Sequence, residues 1–211
     1  MISQQLDSYL RELIPTRKAE VEQIEAYAAE HEIPIMELVG MECFLQQLKL
    51  IKPQRILEIG AAIGYSAIRM AEATGAAVVT IERDQVRYEQ AIENIQKLNL
   101  ADRIHVHFGD ALELAQRLES DPLYDVLFID AAKGQYQRFF DLYSPFVKQG
   151  GVIFSDNVLF RGFVAEEDID NKRLLKLAQK IKRYNQWLMS HPGYETMILP
   201  VGDGLAVSIK K

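Results

Sequence analysis

The sequence predicts an α/β fold: an open, mostly parallel sheet with helices on both faces, ended by an antiparallel hairpin. Three observations predict it. Short apolar runs at 55–59, 78–81, 104–108, 126–129 and 151–154 alternate with amphipathic stretches such as 85–98 and 135–146, the strand-helix-strand rhythm of parallel sheets. Two later runs, 194–201 and 205–209, flank Gly202-Asp203-Gly204, a turn signal that sets the last two strands antiparallel. A length of 211 residues with 48% apolar content suits one core of α/β size.

Taken in order, the first 52 residues read as helices. Leu6, Leu10 and Leu13 keep helical spacing, as do Val21, Ile24, Tyr27 and Ala28, and 36–50 forms a third helix. Pro15, Pro34 and Pro53 punctuate the boundaries. With no repeat, low-complexity stretch or linker, 1–211 reads as a single domain whose N-terminal segment, 1–52, is helical.

Composition excludes several classes. A single cysteine, Cys43, rules out an internal disulfide framework and fits a reducing compartment. No apolar run approaches the roughly 20 residues of a membrane span, and the first residues lack a secretion signal; the expected location is the cytoplasm. His105 and His107 share a strand face but find no third ligand nearby, which argues against zinc. The net charge of −6 disfavours a polyanionic partner on average. One segment departs from that average: 171–183 holds six basic residues and no acidic one.

In an open α/β sheet, ligands sit beyond the carboxyl ends of the strands. After the first strand comes Gly60-Ala61-Ala62-Ile63-Gly64-Tyr65-Ser66, where Gly60 and Gly64 permit a tight turn and close backbone approach. The spacing differs from the glycine fingerprint of dinucleotide binders, so a pyrophosphate cradle is not expected. Glu82 ends the second strand and can accept from both hydroxyls of a ribose. Asp110, after the third, suits a helix N-cap and also the adenine end of the same ligand. A glycine loop with two acidic strand ends favours a nucleoside without phosphate, and S-adenosylmethionine (SAM), with its cationic sulfonium, fits. The fourth and fifth strands end at Asp130 and at Asp156-Asn157, hard oxygen donors of the kind Mg²⁺ prefers. Lys133, beside a dication, is pushed toward the neutral amine that can accept a proton.

Together, Leu57-Glu58-Ile59-Gly60-Ala61-Ala62-Ile63-Gly64-Tyr65-Ser66, Glu82, Gly109-Asp110-Ala111, Asp130-Ala131-Ala132-Lys133 and Ser155-Asp156-Asn157 resemble the cation-dependent O-methyltransferases of the catechol and caffeoyl-CoA type. Within them, Pro34-Ile35-Met36-Glu37, Gly134-Gln135-Tyr136-Gln137, Val158-Leu159-Phe160 and Pro200-Val201-Gly202-Asp203-Gly204-Leu205-Ala206 are similar to the bacterial enzymes that methylate 5-hydroxyuridine in tRNA. The resemblance implies a Rossmann-like SAM methyltransferase fold with seven strands, SAM and Mg²⁺ as cofactors, and a homodimer. Carried over by motif, Met41, Gly60, Ser66, Glu82, Asp110, Ala111 and Asp130 would line the donor. Asp130, Asp156 and Asn157 would hold the cation, and Lys133 would be the base. One departure is plain: the catechol-type enzyme carries a bulky aromatic before that lysine, where this chain has Ala131 and Ala132.

The chemistry suits an acceptor with two oxygens on adjacent carbons, which both catechol and 5-hydroxyuracil provide. The basic segment bears on the choice. Leu174, Leu177, Ile181, Tyr184 and Leu188 form an apolar helical stripe, with Lys172, Arg173, Lys176 and Lys180 among the cations outside it. Those cations are expected to meet the phosphates of a tRNA anticodon stem-loop, with Arg17, Lys18 and Arg161 extending the surface. Phe160 and Trp187 are expected either to stack on an extruded base or to pack in the core. A solvated helix face and a small catechol or hydroxycinnamoyl acceptor remain the alternatives.

Overall fold

The computed structural model describes residues 4–211. Five strands, β1 (Arg55–Ile59), β2 (Ala77–Glu82), β3 (Ile104–Phe108), β4 (Tyr124–Ile129) and β5 (Val147–Ser155), pair in parallel. The hairpin of β6 (Tyr194–Leu199) and β7 (Leu205–Lys210) joins β5 through β7, antiparallel. The order is β3-β2-β1-β4-β5-β7-β6, which puts a topological switch between β1 and β4.

Period-two alternation divides the core. Ile56, Val78, Val126, Phe128 and Phe154 face one layer, with α2 (Ala19–Glu30), α3 (Leu38–Ile51), α4 (Tyr65–Thr74) and α5 (Gln85–Lys97). Leu57, Val79, Leu127, Ile129 and Ile153 face the other, with α6 (Tyr136–Tyr143) and α7 (Lys172–Ser190). Phe44 on α3 is fully buried, 4.4 Å from the Phe128 ring and 4.9 Å from that of Phe154. Truncating such a ring to Ala costs about 3–5 kcal/mol. A first helix, α1 (Gln4–Leu13), precedes the layers, with Tyr9 and Leu13 exposed. Among the described residues no helix is long and apolar enough to cross a membrane.

The expected elements form, with three differences. β5 begins at Val147, not at 151, because Val147 pairs with Tyr124 before a bulge carries the polar 148–151 stretch out of register. Such a bulge interrupts the apolar pattern that marks a strand in sequence. β6 stops at Leu199, since Pro200 has no N–H to extend the ladder. Between β3 and β4 the chain forms only a 3₁₀ turn, Ala115–Leu118, where the repeating pattern calls for a helix.

Candidate active site

The parallel ladder continues one residue past each strand, which places the site residues. Gly60 N and Ala61 N both donate to Ile81 O, Asp130 N to Ile59 O, Asp156 N to Ile129 O, and Gly109 N to Glu82 O, at 2.9–3.1 Å. Five strand ends are thereby held in register around one cleft of about 980 Å³. At the switch, β1 and β4 approach so closely that a Cβ on Gly60 (φ +102°) would stand 2.1 Å from Asp130 O. Only glycine fits there. Gly64 (φ +82°) packs on Ala91 of α5, and Asn94 donates to Ile63 O at 2.9 Å, so the loop is fixed from behind.

At one end of the cleft, Glu82 accepts from the amides of Ala62 (2.8 Å), Arg83 (2.9 Å) and Asp84 (2.8 Å). Its carboxylate is preorganised, and of roughly four lone-pair positions one remains for a ligand hydroxyl. Asp110 combines both expected uses: Oδ1 accepts from Leu112 N at 2.9 Å, while the side chain faces the cleft, 3.7 Å from Arg83. Ala111 and Ser66 also line it. Met41 does not. It is fully buried in the core of α3, and Met36, Glu37 and Gly40 form that wall instead. Its helical position turns the side chain inward, a direction the motif alone does not reveal.

Beneath Ser66 lies a group that sequence reasoning misses. Glu58 is completely buried in β1 and accepts from Ser66 Oγ and Thr80 Oγ1, both at 2.5 Å. Burial pushes its pKa up to about 7, against the pull of the two hydroxyls. A single acid within an apolar strand is the signal that could have found it.

At the centre, Asp130, Lys133, Asp156 and Asn157 all line the cleft. Lys133 Nζ donates to Asn157 Oδ1. Asp156 accepts from the Asn157 backbone amide at 2.7 Å, and its backbone carbonyl accepts from Tyr136 Oη at 2.8 Å. Burial raises Asp130 to about 6 although Lys133 opposes the shift. Asp156 is raised well above the usual carboxylate range by burial and then by the charge of Asp130. Burial also lowers Lys133, against the attraction of Asp130, Asp203 and Asp156. Two buried carboxylates under mutual repulsion, with an amide oxygen adjacent, form an all-oxygen donor set that suits a hard dication. Among the described residues there is no cluster of three or more His, Cys, Asp or Glu that could hold a metal.

The other end is aromatic and basic. Phe160, Phe163 and Leu174 line the wall, with the Phe160 and Phe163 rings 5.4 Å apart. Phe163 escapes a reading of the sequence, because its short 3₁₀ segment carries no periodicity. Trp187 stands elsewhere, packed against Tyr184, Phe140 and His191. α7 packs beside the Lys133 turn, with Lys180 Nζ next to Gly134. Lys172, Arg173, Lys176, Lys180, Lys182 and Arg183 are exposed, and Arg161 is exposed on the cleft wall. Arg17 and Lys18 stand just before α2, Lys18 at its N-cap. Arg17 pairs with Glu25 and Lys18 with Glu72, both at 2.7 Å, so each cation is already matched by a carboxylate.

A seven-stranded sheet of this order, with its cleft at the parallel strand ends, is the Rossmann-like methyltransferase fold. The O-methyltransferase family model matches residues 12–211, and the chain belongs to that family of enzymes. Caffeoyl-CoA O-methyltransferase 1 of Arabidopsis thaliana is 29% identical over 97% of this chain and 84% of its own length. A Staphylococcus aureus structure, described as a candidate caffeoyl-CoA O-methyltransferase, superposes with a TM-score of 0.91 at 34% identity, over 97% of this chain and 98% of that one. An O-methyltransferase from Bacillus cereus in complex with SAH superposes with a TM-score of 0.84 at 27% identity, over 98% and 97%.

Proposed function

We propose that the protein is a Mg²⁺-dependent SAM O-methyltransferase that converts 5-hydroxyuridine to 5-methoxyuridine at the wobble position of a tRNA anticodon. One juxtaposition supports it above all: the four polar groups at the cleft centre adjoin α7, whose exposed basic face extends from the rim. A basic stripe of that kind suits a polyphosphate backbone. The SAH complex of the Bacillus cereus relative supports the donor.

When bound, SAM supplies a methyl group on a sulfonium and Mg²⁺ lowers the pKa of an acceptor hydroxyl. The chain's residues do the rest. Glu82 offers its remaining lone pair to a ribose hydroxyl, and the walls of Ile59, Ile81 and Leu112 exclude water around a purine. Asp130, Asp156 and Asn157 would hold the cation. Lys133, its ammonium disfavoured by burial, accepts the acceptor's hydroxyl proton on Nζ. Ala131 and Ala132 line the cleft with small side chains, which suits a bulky acceptor such as a nucleotide within a loop. Phe163 stacks on the extruded base, while Phe160 is packed with Ala178 and Ile181 behind it.

A second reading takes a catechol or hydroxycinnamoyl-CoA acceptor, favoured by the names of the relatives; the phosphates of CoA would also suit the basic face. Purified protein incubated with SAM and an anticodon stem-loop containing 5-hydroxyuridine separates the two. The expected product is RNA heavier by one methyl group, formed with a higher kcat/KM than methylated catechol or caffeoyl-CoA. Faster turnover of either small acceptor would reject the tRNA assignment.

A further inference from the structure

The segment that carries Asn157 leaves the sheet in an uncommon backbone conformation. Asn157, Phe160 and Arg161 adopt left-handed φ values of 57°, 47° and 55°. None is glycine, and such geometry persists only where the surroundings over-determine it. Those surroundings come largely from one place, the turn between β6 and β7. Val158 N donates to Gly204 O at 3.0 Å, Leu159 N to Asp203 O at 2.8 Å, and Arg161 N to the Asp203 carboxylate. Gly204 (φ +89°) allows this approach, since a Cβ there would stand 2.3 Å from Leu159 Cγ. The turn is in turn backed by the N-terminal side of α3: a Cβ on Gly202 would meet Glu37 Oε1 at 2.8 Å.

We propose that Asp203 is a positioning residue for the acceptor end: its carbonyl and carboxylate fix the 157–161 segment with its three left-handed residues, and with it the direction in which Asn157 and Arg161 enter the cleft. Asp203 lies on the cleft wall beside both, but its carboxylate Oδ1 already accepts a backbone amide. The floor of the donor end is built separately, from ladder bonds of β1, β2 and β3, and the turn reaches its Glu37 wall through Gly202. Loss of the clamp therefore impairs acceptor turnover while donor affinity stays unchanged. The inference rests on the methyltransferase reading of the cleft and is independent of which acceptor is native.

The test compares Asp203→Ala, Asp203→Asn and Gly204→Ala in the full-length protein. Calorimetry measures affinity for S-adenosylhomocysteine, and steady-state assays give kcat and KM with 5-hydroxyuridine RNA and with a simple catechol in parallel. Asp203→Ala and Gly204→Ala are expected to lower acceptor kcat/KM by ~10²-fold, the scale of a misplaced reacting group, with donor affinity unchanged. Asp203→Asn keeps an oxygen for the Arg161 amide and is expected to restore most of the activity. Wild-type kcat/KM in Asp203→Ala would overturn the proposal. So would an Asp203→Asn variant as impaired as Asp203→Ala, because charge would then be the operative property. Parallel loss of donor affinity, or of folding, in Asp203→Ala would assign a general structural role and overturn it as well. A wild-type enzyme active on catechol alone rejects the RNA reading but leaves this comparison intact.

Discussion

The two ends of the cleft are built in different ways. The end containing Gly60, Glu82 and Asp110 grows directly out of parallel strands: Gly60 lies one ladder bond beyond β1, Glu82 closes β2, and Asp110 follows Gly109, whose amide donates to Glu82 O. The end containing Asn157, Phe160 and Arg161 is an irregular segment held in left-handed geometry by a turn some forty residues away in sequence. Strand ends are rigid because a register shift would break many bonds together. A pinned loop is only as rigid as its clamps. The first construction suits a group common to a whole family, and the second suits an acceptor that varies among its members.

The largest expected effect lies between the two ends. Lys133→Ala should lower kcat by ~10²–10⁴-fold, the range of a lost general base, with S-adenosylhomocysteine affinity unchanged by calorimetry. Its pH profile sharpens the point. Because burial lowers the Lys133 pKa, a larger fraction is neutral at a given pH than for an exposed lysine. Wild-type kcat should therefore rise with pH until the amine is fully deprotonated, and Lys133→Ala should lack that rise. A kcat within a fewfold of wild type would remove the base from the mechanism.

A smaller effect belongs to the acceptor end alone. Lys172→Glu with Lys176→Glu should weaken RNA binding. The slope of log affinity against log salt should also flatten, by about 0.7–0.9 for each phosphate no longer neutralised. Donor affinity and methylation of a small catechol should remain at wild-type levels. Filter binding across a salt series measures this, and an unchanged slope would detach the basic face of α7 from the substrate.

The smallest effect belongs to the donor end and concerns stability. Glu58 has a folded pKa of about 7 against an ordinary value of 4.5. The folded state thus binds the extra proton between those values, so the contribution of Glu58 to stability is fully present below the lower pKa and is lost as pH rises through the upper one. The full shift corresponds to about 3 kcal/mol. Glu58→Gln should lose that part of the decline, gaining on the wild type between pH 5 and pH 8 in urea unfolding of the metal-free protein. A constant difference across that range would mean Glu58 does not titrate there.

Legibility in the sequence follows the same division. Asp130 and Asp156 stand out because each closes an apolar run, Asp130 directly and Asp156 after Ser155, and a strand end is a local pattern. Glu82, Asp110 and the glycine loop share that advantage. Glu58 is harder to read because it lies inside a strand, a lone acid among apolar neighbours, and the two hydroxyls that satisfy it lie on another strand and on a helix. Asp203 reads as an ordinary turn residue, since its partners lie far away in the chain. Met41 follows from a motif, which specifies a position on a helix and not the face it presents. Arg17 and Lys18 look like free cations in sequence because Glu25 and Glu72, which pair with them, lie on another turn or far along the chain.

In the proposed function, oxygen donors from two adjacent strand ends hold a dication needed for methyl transfer. This is tested most directly by single-turnover methylation of the 5-hydroxyuridine stem-loop after EDTA treatment, with and without added Mg²⁺. Methylation is expected to disappear with EDTA, to return with Mg²⁺, and not to return in Asp156→Ala. Undiminished methylation in EDTA would contradict it.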